Sequence, residues 1–170
     1  LTILYLLARE EIELVGISAT YGNGAVPEVM HATRTLLERT GAQVPLFEGA
    51  HGQGKNRAGE WRASEASAAL AEASKRYEGR LVVLGLGALS NLAGAAEHDP
   101  GFFRRLDRVN VMGGYLAPLA FRREVRELNF SCDPDASHRV LHSGTSVTVM
   151  SAQLCLGARF GIWNLLVHNR

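Results

Sequence analysis

The chain has 170 residues, 46% of them apolar and 21% charged, with a formal net charge of +1. That length suits one domain with its own core, and the balanced charge excludes a broad basic field for nucleic acid. The apolar residues from Leu1 to Ala8 are too few to span a bilayer and carry no basic region or cleavage site, so no membrane partner is expected.

Leu1 to Ala8 reads as a helix entered partway, with no capping residue before it, and residues 160–168 still look amphipathic when the chain stops. The expectation is a fragment of a larger protein, truncated at both ends. Residues 12–21 are rich in β-branched and apolar side chains and end in Gly22-Asn23-Gly24, a strand running into a loop. Residues 27–40 place Val29, Ala32, Leu36 and Leu37 on one helical face, with Pro27 in the first turn and Gly41 at the stop. Residues 44–47 form a short strand, and the loop 48–62 is long for a compact domain. Ser64 caps a helix that groups Ala69, Leu70 and Ala73, with Glu65 near its positive end.

Residues 80–86 are almost continuously apolar, as in a strand covered on both faces. A glycine turn and a helix through Ala96 follow, then a short helix near 100–106, a strand over 108–113, a helix over 135–143 and a strand over 146–151. Strands alternating with helices call for parallel pairing and right-handed crossovers. The fold class is therefore α/β, an open and mostly parallel, Rossmann-like sheet with helices on both faces. No repeat, low-complexity segment or linker divides residues 1–170, which read as a single domain.

Gly85-Leu86-Gly87-Ala88-Leu89-Ser90 invites a dinucleotide reading, with Asp107 as the ribose acid. Ser90 stands where the third glycine belongs, and Asp107 precedes its strand instead of ending it, which argues against that reading. Cys132 and Cys155 lack metal spacing and read as core or near-core thiols of a cytoplasmic protein. Arg122, Arg123 and Arg126 suit a solvated connection, and His51 an exposed loop.

The most informative stretch is Val111-Met112-Gly113-Gly114, then Glu127-Leu128-Asn129-Phe130, then Cys132-Asp133-Pro134-Asp135. A strand runs into two glycines, and a carboxylate and a carboxamide follow two residues apart, on one side of the chain if the backbone is extended. Asn23, the carbonyls near Leu86, Met112, Glu127 and Asn129 would then share one sheet edge. They make a hydroxyl-binding rim without strong nucleophiles, as a sugar requires. The plainer alternative is a surface turn with a helix cap.

These residues resemble the inosine-uridine preferring nucleoside hydrolase family. The matching pieces are Glu13-Leu14-Val15-Gly16-Ile17 leading to Tyr21-Gly22-Asn23, Leu84-Gly85-Leu86-Gly87-Ala88-Leu89-Ser90-Asn91-Leu92-Ala93, Val111-Met112-Gly113-Gly114, and Glu127-Leu128-Asn129 through Asp133-Pro134-Asp135-Ala136. The resemblance implies a nucleoside hydrolase fold and hydrolysis of the N-glycosidic bond of ribonucleosides to free base and ribose. It implies a glycosidase of purine and pyrimidine salvage that uses Ca²⁺ and forms homo-oligomers, dimers or tetramers. By position, Asn23, Met112, Glu127 and Asn129 would bind substrate, and the Leu86 backbone carbonyl would be a calcium ligand.

The chain also departs from the family's pattern. The aspartate cluster D-x-D-x-x-x-D-D, which includes the general base, is expected upstream of Leu1, so no catalytic residue is assigned within this chain. A further aspartate ligand is expected beyond Arg170. Phe121 stands where many members have an asparagine, and Ser151-Ala152-Gln153-Leu154-Cys155 lacks the aspartate and threonine common there. The chain by itself is therefore expected to be impaired or inactive. The alternative is a non-catalytic remnant or interaction module that keeps the sheet.

Overall fold

In the computed structural model, which describes residues 1–52, 62–116 and 127–158, every strand pairing is parallel. Strands β1 (Ile17–Ser18) and β2 (Leu46–Phe47) form a short sheet, and β3 (Leu81–Gly85), β4 (Leu106–Met112) and β5 (Val147–Met150) form a second one in that order. Around them lie α1 (Thr2–Leu7), α2 (Val26–Thr40), α3 (Glu65–Arg76), α4 (Ser90–His98), α5 (Pro134–Leu141) and α6 (Ala152–Gly157), with a 3-10 turn at Phe103–Arg105. The fold is the open α/β class that the alternation of elements predicts.

Local chemistry sets the helix boundaries. The Ala25 N–H donates to the Glu28 carboxylate (3.1 Å), Pro27 occupies the first turn of α2, and Gly41 ends it at φ 67°, a left-handed geometry that costs glycine little. Ser64 and Ser67 cap α3 reciprocally: each backbone N–H donates to the other's hydroxyl, at 2.9 and 3.2 Å. At α5 the Asp133 carboxylate accepts from the Ala136 N–H (3.1 Å), with Pro134 in the first turn.

The main core lies where Val83, Val109 and Val111 meet α3, α4 and α5 through Leu89, Leu92, Phe102 and Val140, and Ala71, Ala93 and Ala136 allow close helix approach. A smaller core of Ala19, Val26 and Met30 joins β1 to α2. The two sheets are tied by Asn91 at the start of α4. Its Nδ2 donates to the Ala19 carbonyl (2.7 Å), and its Oδ1 accepts from the Ala50 N–H (2.9 Å). Gly49 lacks a Cβ because the Ala19 carbonyl and the Asn91 side chain abut it.

Several boundaries differ from those read in the sequence. Of the strand expected over 12–21, residues Ile17–Ser18 pair, because β2 offers two residues, Leu46 and Phe47, as partners. The buried stripe of α2 is Val26, Met30 and Leu37, with Val29 packed beside it, whereas Ala32 is exposed; the core of Ala19, Val26 and Met30 sets which face turns inward. In β3, Val82 and Leu84 are 42% and 39% exposed while Val83 is 8% exposed, so among the described residues this strand is covered on one face rather than both. Cys132 is half-buried and Cys155 exposed, so neither is a core thiol. Among the described residues, no helix is long and apolar enough to cross a membrane. Phe121, Arg122, Arg123, Arg126, most of the loop 48–62 and the segment 160–168 lie outside the described residues.

Candidate functional site

Parallel register brings the C-terminal ends of β3, β4 and β5 to one edge, with Gly85 opposite Val111 and Met112 opposite Met150. The tip of β1 reaches the same place. The Thr20 hydroxyl donates to the Ala88 carbonyl (3.4 Å), and a Cβ at Gly87 would run into the Thr20 methyl. Glycine at position 87 is therefore what allows the first and third strand ends to touch.

On this edge the Asn129 carboxamide is the joining group. Its Nδ2 donates to the Met112 carbonyl (2.8 Å), lies 3.0 Å from the Met112 sulfur, and makes a longer contact with the Leu86 carbonyl (3.4 Å). With Nδ2 turned inward to two strand ends, the carboxamide oxygen remains to accept from a hydroxyl. Leu86 itself is 53% exposed. Both Glu127 carboxylate oxygens lie 3.1 Å from the Phe130 N–H, which fixes the carboxylate at the start of the turn. The Phe130 ring covers Gly113 and Gly114, and a Cβ at Gly113 would collide with it.

Three of the residues singled out in the sequence, Leu86, Met112 and Asn129, thus converge, and Glu127 sits two residues from Asn129. The reason inferred for the last pair does not hold. The Cys132 N–H donates to the Leu128 carbonyl (2.8 Å), so Asn129 opens a turn instead of extending a strand, and the two side chains have different partners. Asn23 is exposed in the turn after β1, with no hydrogen bond to the other four among the described residues. His51 pairs with Glu48 (2.6 Å), both about half exposed.

Beneath the rim lies a buried layer whose importance the sequence did not reveal. Asp133 is fully buried. It accepts from Arg62 Nε (2.9 Å) and Nη2 (2.8 Å), from the Ser90 hydroxyl (2.8 Å) and from the Ala136 N–H (3.1 Å). Burial alone pushes its carboxyl upward, but Arg62, the Ala136 N–H and Ser90 outweigh that and hold it below the usual carboxylate range. Arg62, raised chiefly by its hydrogen bond to Asp133, also donates to Glu97 (3.2 Å). The Tyr21 hydroxyl donates to the Cys132 carbonyl (2.9 Å) and lies 3.3 Å from Ser90 Oγ; burial raises both the Tyr21 phenol and the Cys132 thiol. A raised thiol is a poor nucleophile. In the sequence, Asp133-Pro134 signals a helix cap, and nothing local marks the distant Arg62 as its partner.

Among the described residues, no group of three or more His, Cys, Asp or Glu side chains could hold a metal ion. Calcium takes roughly six to eight oxygens. The Leu86 carbonyl and a Glu127 carboxylate already facing an N–H do not fit that requirement by themselves.

The profile of the inosine-uridine preferring nucleoside hydrolase family matches residues 1–165. Uridine nucleosidase 1 of Arabidopsis thaliana is 28% identical over 91% of this chain and 53% of its own length, and a probable uridine nucleosidase 1 of Oryza sativa subsp. japonica is 25% identical over 91% and 55%. The chain therefore spans about half the length of these curated relatives. Among solved structures, a purine-preferring ribonucleoside hydrolase from Gardnerella vaginalis superposes with a TM-score of 0.75 at 23% identity, over 88% of this chain and 55% of that one. An inosine-uridine preferring nucleoside hydrolase from Bacillus anthracis gives 0.73 at 21% identity, over 95% and 63%. These structures share the fold. The profile match along nearly the whole sequence establishes that the chain belongs to the inosine-uridine preferring nucleoside hydrolase family.

Proposed function

We propose that this chain forms the ribose-facing part of an enzyme that hydrolyses the N-glycosidic bond of ribonucleosides, releasing free base and ribose. The observation that carries this reading is the Asn129 carboxamide, held against Met112 and Leu86 at two adjacent strand ends with its oxygen left for a hydroxyl. Asn129 would accept from a ribose hydroxyl, the Met112 side chain would lie against the sugar, and the fixed Glu127 carboxylate would accept a second hydroxyl. Asn23 would approach from the tip of β1. Holding the furanose by its hydroxyls leaves the anomeric carbon open to water, through a transition state resembling an oxocarbenium ion by analogy with other glycosidic cleavage.

Calcium is the metal the family resemblance suggests, with the Leu86 carbonyl as one ligand, but no step is assigned to it because the described donors fall short. The same shortage favours a second reading, a sheet that binds without turnover. Self-association into dimers or tetramers, which the family resemblance implies, is part of the proposal, and light scattering tests it.

Calorimetric titration with Ca²⁺ and an assay for ribose release from inosine and uridine test the main reading. Weak metal binding with little turnover is expected for the chain alone, and restored turnover when an aspartate cluster is supplied ahead of Leu1. Tight calcium binding with rapid turnover by the chain alone would contradict the donor argument. No ribose release after the cluster is supplied would favour the non-catalytic reading.

A further inference from the structure

The rim is carried by three separate turns, and one fully buried carboxylate joins two of them directly and the third through Ser90. Asp133 closes the turn that holds Glu127 and Asn129. Its Oδ2 accepts from Ser90, four residues beyond Leu86, at 2.8 Å. Ser90 Oγ lies 3.3 Å from the Tyr21 hydroxyl, two residues before Asn23, and that hydroxyl donates to the Cys132 carbonyl at 2.9 Å. The paired bonds from Arg62 fix the plane of the carboxylate.

We propose that Asp133, with Ser90 and Tyr21, is a positioning centre that couples the turns bearing Asn23, Leu86 and Asn129, so that the three keep or lose their arrangement together. For the ligand this rests on the nucleoside reading; for the coupling it does not. The chemistry requires a carboxylate and not its amide. Four donors point at Asp133, two at each oxygen, and an amide would set its own N–H groups against the two that share the replaced oxygen. None of these residues touches substrate in this account. They act through the backbone of the rim.

The test is amide hydrogen exchange on the unaltered chain and on Ser90→Ala, Tyr21→Phe and Asp133→Asn, with and without inosine. In Ser90→Ala, exchange should accelerate about tenfold in residues 20–24, 86–90 and 127–133 together, as expected from one lost buried hydrogen bond, while residues 30–37 of α2 stay unchanged. Inosine should protect those three stretches in the unaltered chain, and about tenfold more of it should be needed in Ser90→Ala. Ser90→Thr, which keeps the hydroxyl, should restore both readings. Tyr21→Phe should loosen the same three stretches to a smaller degree. Acceleration confined to the substituted turn, or spread equally into α2, would overturn the coupling. If inosine protects nothing in the unaltered chain, the nucleoside reading falls, while the joint or separate response of the turns still decides the coupling.

Discussion

The rim and the layer beneath it occupy the same edge of the fold and follow opposite rules. Below, Asp133 is saturated by four donors at 2.8–3.1 Å and Asn91 spends both ends of its amide on backbone groups of separate segments. Above, Asn129 uses its nitrogen and keeps its oxygen, and Leu86 stands half exposed. On the proposed reading, the difference is how a binding edge would be made from loops: polar groups left available are held by others that are fully committed.

The contrast is broken most severely at Asp133. Asp133→Ala removes the buried acceptor shared by Arg62, Ser90 and the Ala136 N–H, with Glu97 still paired to Arg62, and should cost roughly 2–4 kcal/mol, read from urea unfolding. A loss below about 1 kcal/mol would mean that the layer is not the support described. Asn91→Ala comes next. It strands the Ala19 carbonyl and the Ala50 N–H between the two sheets and should cost about 1–3 kcal/mol in the same measurement.

The pH dependence sharpens the same comparison. The folded-state carboxyl of Asp133 lies below its unfolded value, so its stabilisation is complete above the unfolded value and disappears as pH falls through the folded one. The wild-type chain should therefore lose stability under acid conditions more steeply than Asp133→Asn, and parallel acid-unfolding curves would contradict this. The smallest stability effect belongs to the rim. Asn129→Ala should change unfolding by about 1 kcal/mol or less, since it removes partly exposed bonds, and should instead weaken nucleoside binding.

The strand-end chemistry was legible in the sequence because it is local. Apolar runs ending in glycine mark the tips of β3 and β4, and Asp133-Pro134 marks the start of α5. Their parallel order follows from the alternation of strands and helices, and that order brings Leu86, Met112 and Asn129 together. What the sequence hid depends on pairing at a distance. Arg62 and Asp133 are 71 residues apart, and neither carries a local mark of the other. The stripe of α2 is legible in part for a related reason: Leu37 is buried and Val29 packs on the core as expected, while Met30 in place of Ala32 is a choice fixed by the sheet the helix packs on. The short length of β1 likewise depends on how few residues β2 offers. The turn at Asn129 was missed because two polar residues at alternate positions fit a strand as well as they fit a turn.

The central claim is that the ends of β1, β3 and β4 hold a ribose. Titration of the chain with inosine, followed by amide resonances in nuclear magnetic resonance, tests it most directly. The account predicts shifts concentrated at residues 23, 86–88, 112–114 and 127–130, lost in Asn129→Ala. Shifts gathered elsewhere, such as the shallow groove lined by Arg34, Leu37, Pro45 and Leu46, or shifts unchanged by Asn129→Ala, would contradict it.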